Sequence, residues 1–161
     1  GNGFDKAVEI VNCGATPRVV SEVVLCIYVN AAFTCTSAQP FSGTLAVDDT
    51  IVVCHNRHTS PSPGCIENGT VANFNGNDRL ALFVDANGNE EYDSGSDTLL
   101  DSWGVLDSPP SGEIWSETTW RRCSAEPYLQ SGSFEPADYY FTAPGTDASD
   151  LGSPPTLTGC D

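Results

Sequence analysis

No stretch of this chain keeps an apolar period of about 3.6 residues through three helical turns. Its runs of Val, Ile, Leu and Phe are short, and turn residues interrupt them at roughly 8–12-residue intervals. Runs of that kind bury alternate side chains against a second layer, which points to an all-β sandwich or barrel. The 15 Gly and 11 Pro fit the same picture, because both break long helices.

Residues 4–12 (FDKAVEIVN) alternate as a strand does. Residues 18–30 (RVVSEVVLCIYVN) hold no Gly or Pro and read as one long strand or two short ones. Their β-branched content argues against a helix near 21–25. Strands are expected at 44–47 and 50–54 around a tight Asp48-Asp49 turn, and a short one at 70–74. Asn75-Gly76-Asn77-Asp78 is a turn signal, residues 79–84 (RLALFV) alternate clearly, 85–97 form a polar loop, and 98–105 resume β character. A last short strand is expected near 139–142. The whole of 1–161 reads as one domain whose tail, 124–161, is irregular and loop-rich.

Seven cysteines occur, none in a CxxC pair. Disulfides in an oxidising, extracellular or cell-surface setting explain them better than a zinc site. Cys26 and Cys35 bracket a hairpin. Cys54 and Cys65 close a loop rich in Pro, Ser and Gly. Cys123 and Cys160 can tie down the tail. Cys13 is left unpaired or intermolecular. His55 and His58 lie inside the 54–65 loop and could bind zinc only if the thiols were free, so exposed histidines in a stapled loop are expected. The chain begins with Gly, as a processed or excised product would, and contains no transmembrane run.

Asp and Glu number 22 against 6 Lys and Arg, a net charge of −16. That balance excludes nucleic acid, whose phosphates recruit basic side chains. It also argues against membrane partners and favours divalent cations or basic proteins. In 85–97 (DANGNEEYDSGSD), Asp85, Asn87, Asn89, Glu91 and Asp93 fall at alternate positions, with Asp97 near the end. An EF-hand loop wraps calcium with that spacing. Glu90 stands where such a loop needs Gly, Ser96 stands at the twelfth position, and Asp97 comes one step late. The alternative is a solvated acidic loop between strands.

Asn68-Gly69-Thr70 is a glycosylation sequon, and Ser/Thr-Pro stretches at 59–63 and near the end are weaker sugar sites. Trp103, Trp115 and Trp120 could stack on a carbohydrate, but sandwich aromatics are more often core; Trp103 is expected there. Neither GxSxG nor HExxH occurs, so no catalytic residue is assigned and the chain is not expected to be an enzyme.

The order of the motifs DKAVEIVN, FSGTLAVDDTIVV, NFNGNDRLALF, LLDSWGV and Trp120-Arg121-Arg122 resembles the lamin tail domain family, in its secreted bacterial and algal branch. The resemblance covers nearly the whole chain. It implies an immunoglobulin-like β-sandwich, a hairpin over FSGTLAVDDTIVV, binding or scaffolding roles, and no catalytic residues. The family's usual opening strand is expected to be missing before Gly1-Asn2-Gly3, and the cysteines and long tail are departures. Two functions follow. One is a structural module of a cell-surface or fibrous assembly that binds protein partners, self-associating by strand addition at an open sheet edge. The other is a calcium-dependent accessory domain of a larger secreted enzyme such as a nuclease.

Overall fold

The computed structural model describes residues 3–59, 62–113, 116, 119–122, 139–142 and 151–152. These residues form eleven strands and no helix: β1 (Ala7–Val11), β2 (Arg18–Val19), β3 (Val23–Tyr28), β4 (Ser37–Pro40), β5 (Thr44–Leu45), β6 (Thr50–Cys54), β7 (Ile66–Glu67), β8 (Arg79–Val84), β9 (Thr98–Trp103), β10 (Thr119–Arg122) and β11 (Tyr139–Thr142). One sheet runs β1-β6-β7 and another β4-β3-β8-β9, with two smaller pairs, β2-β5 and β10-β11. The fold is all-β, as the alternation predicts.

β3 explains the layering. All six of its residues are buried. Val23, Leu25 and Ile27 meet Val53 in one core, against which Val8, Ile10, Ile51, Leu80 and Leu82 pack. That core lies between the two larger sheets, giving a sandwich-like arrangement. Val24, Cys26 and Tyr28 point the other way, into a second core with Ala81, Phe83 and Leu106. A strand covered on both faces needs no polar alternation, hence the continuous apolar run.

β9 faces both cores and carries a bulge. Leu82 pairs with Asp101 and Phe83 with Leu99, so Leu100 is the extra residue. Leu99 packs into the second core and Leu100 into the first.

The 18–30 run takes the second of its two readings, two strands split by a turn in which Val23 N–H donates to Val20 O at 3.0 Å. Two expectations are corrected. The Asp48-Asp49 turn exists, with Asp48 at φ 59, but it joins no hairpin. β5 pairs with β2 while β6 pairs with β1. Asn12 stitches the crossover by donating from Nδ2 to Leu45 O and Ala46 O, both at 3.1 Å. Residues 70–74 are not a strand. Ala72 N–H bonds Asn68 O at 3.0 Å, a tight turn that drives Val71 and Ala72 into the core.

Candidate functional site

The acidic loop hangs from the end of β8. Asp85 is buried there. Its Oδ1 accepts N–H bonds from Gly88 (2.8 Å) and Asn89 (3.3 Å), and its Oδ2 accepts one from Glu90 (2.9 Å). Glu90 takes φ 59, the sharp backbone of an EF-hand sixth position without its Gly. Asn87 and Asn89 donate from Nδ2 to Asp93 Oδ2 at 2.9 and 2.8 Å. Asp97 accepts from Ala86 N–H and Asp93 N–H. Five of the six expected ligands thus converge. Glu91 departs, its Oε1 accepting Cys35 N–H at 3.2 Å. Among the described residues, no group of three or more His, Cys, Asp or Glu stands ready to hold a metal. To hold a cation the two Asn amides would have to turn their oxygens inward.

Cys26 bonds Cys35 and Cys54 bonds Cys65, with Cα–Cα separations of 5.8 and 6.0 Å. Both sulfurs beside the histidines are consumed, which removes them as zinc ligands. Two disulfides suit an oxidising compartment. The histidines themselves are not exposed. His55 is 4% exposed, packs on Phe4 at 4.8 Å between ring centroids, and accepts Arg57 N–H at its Nδ1, 3.0 Å away. Burial, then the neighbouring Arg57, Lys6 and His58, hold its pKa below the usual histidine value. His58, its side chain 5% exposed, lies 4.0 Å from Asp5. Asp5 accepts the N–H and O–H of Thr59, and these bonds pull its carboxyl below the ordinary range.

Each sequon residue has a structural job. Asn68 Oδ1 accepts from Thr70 N–H, Thr70 O–H and Val71 N–H, and its Nδ2 donates to Gln39 at 3.0 Å. A Cβ on Gly69 would stand 2.5 Å from Asn56 Oδ1. Thr70 also bonds Ser37 at 2.8 Å. The turn therefore fastens onto β4.

Sheet edges differ in protection. β4 carries Pro40 and the Asn68–Gln39 and Thr70–Ser37 bonds. β9 carries its bulge. β1 has neither device, and among the described residues it pairs only with β6. Asn12 exchanges both backbone bonds with the 48–49 turn, and Lys6 O accepts His55 N–H. Antiparallel alternation then aims the N–H groups of Ala7, Glu9 and Val11 away from β6. Cys13 follows β1, exposed and unbonded. Partial burial, then Asp48 and Asp101, push its thiol up from the usual value. Gly152 N–H reaches the Glu9 carboxylate across the sheet.

Trp103 is half-buried and meets Trp120 edge-on at 5.3 Å, a contact between the end of β9 and the β10-β11 pair. Trp115, Cys123 and Cys160 lie outside the described residues. Sequence patterning missed Asp78 and Arg79, which are 2% and 0% exposed. The polar run before an otherwise apolar strand was the available signal.

No helix among the described residues is long and apolar enough to cross a membrane. The fold and its staples define a disulfide-bonded all-β protein with two packed sheets. No protein-family model, curated protein or solved structure matches the chain.

Proposed function

We propose that this chain is an extracellular, non-catalytic structural or interaction module of a cell-surface or fibrous assembly. It associates by adding a strand of a second copy to β1. The observation that carries the reading is that, among the described residues, β1 pairs only with β6 and has neither a proline nor a bulge, beside two edges that carry one or the other. Exposed N–H and C=O groups on a flat edge recruit another chain. Cys13 lies just past that edge and can lock such a contact covalently. The two disulfides support an extracellular setting. The motif order resembling lamin tail domains, with the immunoglobulin-like sandwich it implies, supports a scaffolding role.

A charge of −16 on each copy opposes association, so added salt should favour it by screening. Sedimentation at rising concentration tests the proposal. The native chain and Val11→Ala should gain weight. Val11→Pro, which deletes one outward N–H while leaving the β1-β6 ladder intact, should remain monomeric. A native chain that stays monomeric, or a Val11→Pro variant that still associates, contradicts it.

A second reading, a calcium-dependent accessory domain of a larger secreted enzyme, is favoured by one observation. Glu90 adopts φ 59 at the sixth loop position, with Asp85 drawing in the loop's backbone as the first position of a calcium loop would. Its test is a calcium titration.

A further inference from the structure

We propose that segment 4–6 and loop 55–59 form an acid-sensitive clasp, closed while His55 is neutral and released when it takes a proton. The clasp holds the entry to β1 against the exit of β6. Its parts are specific. His55 N–H donates to Lys6 O at 2.9 Å. The imidazole lies against Phe4, and the Arg57 guanidinium sits 4.5 Å from the centre of the same ring. Asp5 grips Thr59 at the far end of the loop through bonds of 2.9 and 2.8 Å. The Cys54–Cys65 bond anchors both ends of the loop that carries these groups.

The clasp depends on an acceptor. Nδ1 of His55 takes the Arg57 N–H at 3.0 Å, which only an imidazole unprotonated at that nitrogen can do. Protonation places a second N–H against the first. It also places a charge in a buried site facing Arg57 and His58 of its own loop and Lys6 of the clasped segment. Among the described residues the one acid of the cluster, Asp5, is occupied by Thr59 and faces His58. The new charge therefore meets repulsion without a partner, and burying it unpaired is costly.

The sign follows. The pKa of His55 is lowered in the closed form and returns to about 6.5 when the clasp opens. The clasp is at full strength above that value and weakens as pH falls below it, by up to about tenfold per pH unit. Asp5 keeps its charge through this window, since its own pKa is lowered from 3.8.

Residue-resolved hydrogen exchange between pH 7.5 and 5 tests the proposal, with amides of β3 as the internal reference. The amides of His55, Arg57 and Thr59 should lose protection selectively as pH falls, beyond the intrinsic pH effect. His55→Asn keeps an acceptor but cannot titrate, and should hold protection throughout. Loss that is identical in His55→Asn, or no selective loss in the native chain, overturns the clasp. An NMR titration of the His55 ring in the native chain covers the case in which the variant does not fold. The ring should titrate below pH 6.5 together with the loss of protection, and titration without that loss also overturns the proposal.

Discussion

Asp78 and Arg79, adjacent in sequence and both buried, grip the two backbone groups of the same residue. Asp78 Oδ1 accepts Asn30 N–H at 2.6 Å, while the Arg79 guanidinium donates to Asn30 O at 3.1 Å. Asn30 holds φ 55 there. Asp78 also caps Asn75 N–H at 2.7 Å, and Arg79 also donates to Ala32 O and Leu106 O. This pair ties the tip after β3, the turn before β8 and the loop after β9 to one point.

Removing the cation should be severe. Arg79→Met leaves carbonyls without donors and Asp78 without its neighbouring charge, at a cost of about 3–5 kcal/mol. Arg79→Lys keeps the charge but not the planar fork, and should recover only part of the loss. Urea midpoints measure both, and an Arg79→Met midpoint equal to that of the native chain refutes the anchoring role.

Tyr28 should ionise well above the range of a free phenol. Burial, and then the nearby Glu91 carboxylate, raise its pKa from 10.0 to about 12. A raised folded pKa means that its stabilising contribution is complete below pH 10 and is lost as pH climbs towards 12. Ultraviolet titration should show a phenol component ionising near pH 12, and Tyr28→Phe should remove that component.

Asn68 should matter whether or not it bears a sugar. Asn68→Ala loses the turn cap and the bond to Gln39, and should cost about 1–2 kcal/mol. A glycan on Asn68 would occupy the nitrogen that now serves Gln39. Intact mass of secreted material, before and after glycosidase, reads occupancy directly. An Asn68→Ala variant as stable as the native chain contradicts the structural assignment.

Calcium either stabilises the folded chain or is irrelevant to it. If loop 85–97 binds the ion, calcium at a hundredfold excess over Kd adds about 2.7 kcal/mol. Tm should then rise with calcium, and Asp85→Asn should blunt the rise. An unchanged Tm removes the calcium reading.

Much of the fold was legible because burial leaves a periodic trace. Residues 79–84 alternate in sequence, and they form β8. Residues 139–142 form β11. The loop signals around Cys26, Cys35, Cys54 and Cys65 marked two bonded pairs. Pairing partners were not legible, because a turn such as Asp48-Asp49 looks alike whether its flanks bond each other or two different strands. The turn at Asn75-Gly76-Asn77-Asp78 was legible, and Asp78 N–H closes it on Asn75 O at 3.3 Å, but Gly76 is not among the positive-φ residues. A Cβ on it would stand 2.6 Å from Ser116 N, so its role is close approach. The acidic spacing located a real cluster, but not the amide bonds that now close it. The burial of His55 was invisible, since its partner Phe4 lies far off in sequence and the flanking Pro and Ser pointed to solvent.

Strand addition at β1 makes a residue-by-residue claim about backbone protons, so amide exchange in dilute and concentrated samples tests it most directly. Val8 and Ile10, turned towards β6, should be protected at both concentrations, whereas Ala7 and Val11 should exchange freely when dilute and become protected when concentrated. Exchange at those two positions that ignores concentration would contradict the account.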